Sequence, residues 1–199
     1  MSALFDRLSA LFHENAHVGI AGMRDDTDIA PGILRPAAVL MAVTDRPEPG
    51  VLLTHRPQEM PSHPGQIAFP GGKLEDGEDA IAAALREANE ELSIPPDAVR
   101  VIGAANSFRT GSGYTLTPVL GVVPHDIAIR PDPHEVADWF EAPLDFVLDP
   151  RNHSDRVGLF QGVERPYIEI VWQEHRIWGI TAGILSNLSH RLAWQEPAR

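Results

Sequence analysis

The chain has 199 residues, of which 43% are hydrophobic and 22% are charged, so it can bury one good core and is too apolar for a disordered protein. Its formal net charge of -12 argues against nonspecific binding to nucleic acid or to a membrane surface, which requires Lys and Arg on one face. It contains no cysteine, which excludes disulfides and thiolate metal sites. A cytoplasmic location fits this composition.

Hydrophobic periodicity and turn residues predict helices alternating with strands. The predicted helices cover residues 2–14, 79–92, 144–148 and 181–194. The predicted strands cover residues 37–44, 51–56, 99–106, 114–123, 136–141, 167–172 and 176–180, the last two forming a hairpin. The first helix carries acids and differs from a signal peptide, and no apolar run approaches a membrane span. This order, without a repeat or a linker, predicts an α/β/α sandwich in a single domain over residues 1–199.

One predicted helix carries three acids on one face. Glu87, Glu90 and Glu91 are spaced i, i+3 and i+4, which brings them side by side. Close carboxylates repel one another unless cations lie between them, and oxygen ligands suit hard ions such as Mg2+ or Mn2+. Arg86 can pair with Glu90 or with Glu78 and so fix the orientation of a carboxylate. The alternative interpretation is a solvated acidic face with one ordinary salt bridge.

A glycine-containing loop, residues 69–72, precedes this helix and follows an apolar run that is typical of the end of a strand. Gly71 and Gly72 have no Cβ atom, so their backbone amides and carbonyls can approach an ion or a phosphate closely. A simple tight turn is the alternative for the loop alone.

Residues 72–94, GKLEDGEDAIAAALREANEELSI, join the end of this loop to the helix. They resemble the Nudix box, Gly-x5-Glu-x7-Arg-Glu-U-x-Glu-Glu-x-Gly-U, where U is a bulky aliphatic residue. The six matching identities are Gly72, Glu78, Arg86, Glu87, Glu90 and Glu91. Ser93 replaces the second glycine of the box, so the turn that ends the helix must either avoid positive φ or strain a non-glycine residue.

The resemblance implies a Nudix-type α/β/α fold, with a mixed central sheet and the box as a loop-helix-loop at one edge. It also implies a hydrolase of phosphoanhydride bonds that requires Mg2+ or Mn2+. The metal ligands that it implies are the carbonyl of Gly71 and the carboxylates of Glu87, Glu90 and Glu91. Glu135 lies before a predicted strand, where some members of the family present a further acid to the metal or to the attacking water. Glu87, Glu90 and Glu135 are the candidates for the general base.

The upstream segment LLTHRPQEMPSHPGQIAFPGG, residues 52–72, resembles the coenzyme A pyrophosphatases of this superfamily. Their pattern is Leu-Leu-Thr-x-Arg, a small residue, x3, Arg, x3, Gly, x3, Phe-Pro-Gly-Gly. The matching residues are Leu52, Leu53, Thr54, Arg56, Gly65, Phe69, Pro70, Gly71 and Gly72. Pro57 replaces the small residue, and Pro61 replaces the second arginine, which removes a candidate donor to phosphate. Residues 108–114, 117–119 and 177–182 are also similar to that subgroup.

These resemblances predict hydrolysis of a nucleoside diphosphate linked to another moiety, with coenzyme A or a derivative first. The alternatives are an ADP-sugar or dinucleoside pyrophosphatase and a non-catalytic binding module of the Nudix fold. Arg56 and Arg109 are candidates for binding substrate phosphates, as is the backbone of Gly72, whereas ordinary surface pairing is the alternative for both arginines. We expect a small nucleotide as the partner, neither nucleic acid nor a membrane, and we allow for a homodimer.

Overall fold

The computed structural model describes residues 2–16, 34–59, 64–160 and 162–194. The helices are α1 (Ala3–Glu14), α2 (Ala80–Leu92), α3 (Leu144–Val147) and α4 (Ile180–Leu192), with short 3-10 helices at Pro96–Ala98 and Pro150–Asn152. The strands are β1 (Arg35–Thr44), β2 (Gly50–His55), β3 (Ile67–Ala68), β4 (Gly71–Lys73), β5 (Arg100–Ala104), β6 (Phe108–Arg109), β7 (Tyr114–Val123), β8 (Asp138–Pro143), β9 (His153–Phe160), β10 (Val163–Trp172) and β11 (His175–Trp178). None of the helices in these ranges is long and apolar enough to cross a membrane.

The central sheet has the strand order β3-β2-β1-β7-β5, with β8 paired to β2, β4 to β1 and β6 to β7. β1 and β7 run parallel along their full length, and the other pairs are antiparallel. The sheet is therefore mixed, as predicted. A second, antiparallel sheet has the order β11-β10-β9.

Both faces of the central sheet are buried, and β1 shows how the sequence achieves this. Leu40 and Ala42 pack in the cluster that α2 covers, whereas Met41 and Val43 pack in the cluster that α1 and α4 cover. Successive side chains of a strand point to opposite faces, so a nearly continuous apolar run serves two cores. The α/β/α sandwich is confirmed.

The C-terminal third differs from the prediction. β9 was not predicted, yet it pairs with β10 from His153↔Ile170 to Phe160↔Val163. β11 ends at Trp178, because Gly179 takes a φ of 63° and begins α4. β8 starts at Asp138, later than predicted, because Val136 donates its N–H to the Asp132 carbonyl in a turn.

Candidate active site

The site is built on the last turns of α2, whose start and direction are fixed by local contacts. Asp79 caps the helix, since its side chain accepts the Ala82 N–H at 2.8 Å. The apolar side of α2 packs on the sheet and takes Glu91 with it, so that Glu91 is only 5% exposed. The side chain of Glu87 is 14% exposed and that of Glu90 is 50% exposed. The three acids of the predicted face thus differ sharply in burial.

Three carboxylates converge beside α2. Glu87, Glu91 and Glu135 each place one carboxylate oxygen within 4.8 Å of the other two. Glu90 is not part of this group, because it is turned toward Arg86 at the exposed side of the helix. The structure therefore brings Glu135 to Glu87 and Glu91, and the metal-binding role of Glu90 stays a prediction.

The loop that carries Glu135 is held by the C-terminal end of α2. The N–H groups of Arg130 and Asp132 donate to the carbonyls of Leu92 and Glu91 at 3.0 and 2.9 Å. These carbonyls belong to the last turn of a helix and have no partner within it. The Glu135 N–H then donates to the Asp132 carbonyl at 3.1 Å, which closes the turn next to Glu91. The unpaired carbonyls at the end of α2 therefore hold this loop by hydrogen bonds and so position Glu135.

Ser93, at the second glycine position of the box, takes the left-handed conformation, with φ 56° and ψ 33°. The turn therefore accepts strain in a non-glycine residue, which is the second of the two outcomes predicted. The Ser93 hydroxyl donates to the Arg130 carbonyl at 2.9 Å. The residue that departs from the motif thus adds a bond to the loop that carries Glu135.

Gly71 and Gly72 lie in β4, which pairs antiparallel with β1. A Cβ atom at Gly71 would collide with the Ala38 carbonyl, and one at Gly72 would collide with the carboxylate of Glu87. At Gly71 the clash is with backbone, so only glycine lets the strand pass this close to β1, whereas a side chain at Gly72 would have to displace the carboxylate of Glu87. The backbone of both residues lines the same cleft as the carboxylates, but neither predicted role, metal ligand for Gly71 or phosphate contact for Gly72, is tested by this geometry.

Arg86 connects the acids of the helix to the loop before it. Its Nε donates to Glu78 at 2.8 Å, and its Nη1 donates to Glu87 at 3.0 Å and to Glu90 at 2.9 Å. Its Nη2 donates to the Lys73 carbonyl at 2.9 Å. The two pairings that the sequence left as alternatives, with Glu90 and with Glu78, are both present. Hydrogen bonding to Arg86 lowers the pKa of Glu78, and the same bond raises the pKa of Arg86.

The acid group concentrates negative charge, although Arg86 pairs with Glu87. Burial, followed by the negative charge of Glu87, raises the pKa of Glu91 to about 8, although Arg56 opposes this shift. Burial also raises the pKa of Glu87, against hydrogen bonding from Arg86. The Oε2 atom of Glu91 is buried and has no hydrogen-bond partner among the described residues. Crowded carboxylates and an unsatisfied buried oxygen are what a site for a hard divalent cation provides, so Glu87, Glu91 and Glu135 fit such an ion.

The acids open into a cleft of about 450 Å³. Arg56 and Lys73 line it together with the acids and the two glycines, and the rest of its lining is mainly apolar. Arg56 is half-buried, whereas Arg109 is exposed on β6 and is not among the residues that line the cleft. The substrate roles of both arginines stay predictions, and the position of Arg56 is the more favourable one.

Sequence reasoning missed the apolar part of the cleft. Tyr114 and Leu116 of β7 line it, as do Ile180, Thr181 and Ile184 of α4. No local spacing marks these residues, because they come together only through the pairing of distant strands and the packing of α4. The sequence pointed to them only through the similarity of residues 108–114 and 177–182 to the coenzyme A pyrophosphatases, and that similarity assigned these residues no function.

Comparisons with known proteins agree with this geometry. The NUDIX domain family matches residues 34–161. A protein of Escherichia coli K12, named as the uncharacterized Nudix hydrolase NudL, is 42% identical over 157 residues, which cover 78% of this chain and 81% of that protein. Among solved structures, the Nudix hydrolase RenU of M. smegmatis is 26% identical, with a TM-score of 0.50, and the match covers 58% of this chain and 74% of that one. The chain therefore belongs to the Nudix hydrolase family.

Proposed function

We propose that this chain is a divalent-metal-dependent pyrophosphohydrolase, which cleaves a nucleoside diphosphate linked to another moiety, with coenzyme A or a derivative as the first candidate. The observation that carries the proposal is the convergence of Glu87, Glu91 and Glu135 at a cleft of about 450 Å³. A cleft of this size suits a ligand of nucleotide size, since small-molecule sites span about 300–1,000 Å³. The oxygen ligands favour Mg2+ or Mn2+.

Each residue of the site has a part in this reaction. A divalent ion held by the carboxylates would neutralise charge on the phosphates and acidify the attacking water. Arg86 orients Glu87 and Glu90 by direct hydrogen bonds. Arg86 makes no bond to Glu135 in the described structure, so Glu135 is our first choice for the group that accepts the proton of the water. Arg56, at the wall of the cleft, would bind phosphate oxygens.

The choice of substrate depends on residues outside the box. Arg56 matches the coenzyme A pattern and lines the cleft. Pro61 stands where that pattern has an arginine, and it lies outside the described residues. If that arginine contributes a charge-assisted bond, its loss should weaken recognition of coenzyme A by about ten- to a hundredfold. An ADP-sugar or a dinucleoside polyphosphate is therefore the second candidate.

A hydrolysis screen tests the proposal. Coenzyme A, dephospho-coenzyme A, ADP-ribose, NADH and diadenosine polyphosphates would each be assayed with Mg2+ and with Mn2+, with Glu91→Gln as the inactive control. We expect detectable but inefficient cleavage of coenzyme A to 3',5'-ADP and 4'-phosphopantetheine, with a small preference over dephospho-coenzyme A and a gain in Pro61→Arg. Turnover of none of these substrates with either metal would contradict the proposal and favour a binding module.

Three further expectations accompany this proposal. We propose that residues 1–199 form one domain, because α1 and α4 lie outside the family match and still pack on the core of the central sheet. The mass of the protein in solution, measured by light scattering, tests the homodimer. The cytoplasmic location stays a prediction, which fractionation of cells tests.

A further inference from the structure

The apolar part of the cleft contains a ring with exposed surface. Phe69 and Tyr114 are the aromatic residues among the described residues that line the cleft. Phe69 is 3% exposed and packs in the core, so almost none of its surface is accessible to a ligand. Tyr114 is half-buried and is among the residues that line the cleft, so it keeps surface to offer a ligand.

The backbone of Tyr114 is held rigidly. Its N–H donates to the Thr110 hydroxyl at 3.1 Å, and its carbonyl accepts the Thr110 N–H at 2.9 Å. Thr110 is itself 3% exposed, and Tyr114 lies opposite Arg35 at the start of the parallel β1–β7 pair. A ring on a fixed backbone loses little conformational entropy when it binds a ligand.

Arg35 packs against one face of the Tyr114 ring. Its guanidinium carbon lies 5.0 Å from the centroid of the ring, over the ring plane. The cation thus covers one face of a ring that also lines the cleft, which leaves the other face for a ligand. Leu116 and Ile184 line the same cleft and supply apolar surroundings. A rigid, half-covered aromatic ring beside aliphatic side chains suits a flat, weakly hydrated ligand group.

We propose that Tyr114 is the stacking platform for the nucleobase of the substrate. The inference rests on the proposed function, because it takes the substrate to be a nucleotide with its phosphates at the acids. Stacking is tolerant of base identity, since every base has a π face. Tyr114 would therefore favour ligands that carry a planar heteroaromatic ring over sugar phosphates that lack one.

The chain offers a direct test, since it contains two tyrosines. Fluorotyrosine incorporated throughout the full chain gives one 19F resonance for Tyr114 and one for Tyr167, and Tyr114→Phe assigns them. Tyr167 is the matched control, because it lies on β10 against Trp178 and outside the cleft lining. The ligands are AMP and ribose 5-phosphate, which share the phosphate and the sugar and differ in the base.

We expect AMP to shift the Tyr114 resonance and to leave Tyr167 unchanged, whereas ribose 5-phosphate shifts neither by a comparable amount. Absence of any Tyr114 shift with AMP up to saturating or millimolar concentration would overturn the inference, as would equal shifts with both ligands. This readout does not depend on turnover. A protein that fails the hydrolysis screen yet shows the AMP-specific shift would contradict the proposed function and support the platform.

Kinetics give the second readout. Tyr114→Leu keeps apolar volume but removes the ring, and base stacking typically contributes enough for a loss of at least about fivefold. We expect KM for the best nucleotide substrate to rise by about that factor or more, with kcat little changed, because the base makes the same contact before and during the reaction. Tyr114→Phe should resemble the wild type, and Tyr167→Leu should leave both constants unchanged. An unchanged KM in a folded Tyr114→Leu variant would refute the platform.

Discussion

The two walls of the cleft are stabilised in opposite ways. The acidic wall, Glu87, Glu91 and Glu135, consists of groups that repel one another and that are held by Arg86 and by the loop after α2. The apolar wall, formed by residues such as Leu116 and Ile184, belongs to the core that α1 and α4 share with the sheet. The metal-free protein therefore keeps an unfavourable arrangement on one wall and a well-packed one on the other.

This difference predicts which quantity each substitution changes. A substitution on the acidic wall should reduce chemistry while preserving or improving the stability of the metal-free protein, because it relieves repulsion. A substitution on the apolar wall should reduce stability and ligand affinity while sparing the chemical step. Five measurements test this contrast.

Glu91→Gln should give the largest effect. The substitution keeps the size of the side chain and removes the most buried carboxylate of the acid group, so we expect turnover to fall by at least about a hundredfold at saturating metal. The turnover of Glu90→Gln should fall less, since the Glu90 side chain is 50% exposed and lies outside the acid group. Steady-state kinetics of both variants measure this. An equal loss in the two variants would support Glu90 as a metal ligand alongside Glu91.

Ile184→Ala should give the largest loss of stability. Ile184 is 3% exposed and packs in the core cluster, but it also lines the cleft, so water can fill part of the space that it leaves. We therefore expect a loss of about 2 kcal/mol, at the lower end for such truncations, with kcat preserved. Urea unfolding and kinetics of the same preparation test this. A stable variant with lost turnover would show that the apolar wall takes part in the chemistry.

Arg86→Lys should reduce turnover or metal affinity by about tenfold or more. Lysine keeps the charge but cannot donate to Glu78, Glu87, Glu90 and the Lys73 carbonyl at once. The acids would keep their charge and lose their orientation. Metal titrations followed by turnover measure the effect. A variant with unchanged turnover and a much larger KM would instead place Arg86 on the substrate phosphate.

Glu91 should make the metal-free protein less stable as the pH rises. Its carboxyl has a pKa raised from 4.5 to about 8, so the folded protein retains a proton that the unfolded chain releases. The free energy of unfolding therefore falls as the pH rises from 4.5 toward 8. Glu91→Gln lacks this loss, so its melting temperature in EDTA should exceed that of the wild type at pH 8, by more than at pH 5. If the melting temperatures of the wild type and of Glu91→Gln differ by the same amount at pH 5 and at pH 8, the pKa of Glu91 is not raised in the folded protein.

The parts of the site that the sequence predicted are those encoded by local spacing. Glu87 and Glu91 are one helical turn apart, and the motif fixes the number of residues between Gly72 and this helix, so local spacing alone predicts that they lie together. Glu135 reaches them only through the bonds between its loop and the end of α2. Its place beside them was therefore one candidate among several. Glu90 lies outside the group because it pairs with Arg86, and its role as a metal ligand stays a prediction.

The missed strand β9 has a related cause. Its side chains at Val157 and Leu159 are 65% and 76% exposed, and Gly158 lies between them. Strand prediction depends on alternation between buried apolar and exposed polar residues, which β9 does not show. The strand forms because β10 supplies a full ladder of partners, from His153 to Phe160. Pairing between segments, rather than burial, determines this part of the fold.

Ser93 gives the smallest expected effect and tests the support of the acidic wall. Ser93→Ala keeps the strained φ of 56° and removes the hydroxyl that donates to the Arg130 carbonyl, so it should cost about 0.5–1.5 kcal/mol. Ser93→Gly loses the same bond but relieves the left-handed strain, which is worth roughly 1 kcal/mol, so its stability should lie near that of the wild type and above that of Ser93→Ala. Chemical unfolding of the wild type and the two variants ranks their stabilities.

The hydroxyl bond of Ser93 also holds the loop of Glu135, so both variants should lose a small, equal part of their turnover even though their stabilities differ. If turnover instead follows stability across the three proteins, the hydroxyl contributes only to folding and leaves the position of Glu135 to the backbone bonds of Arg130 and Asp132.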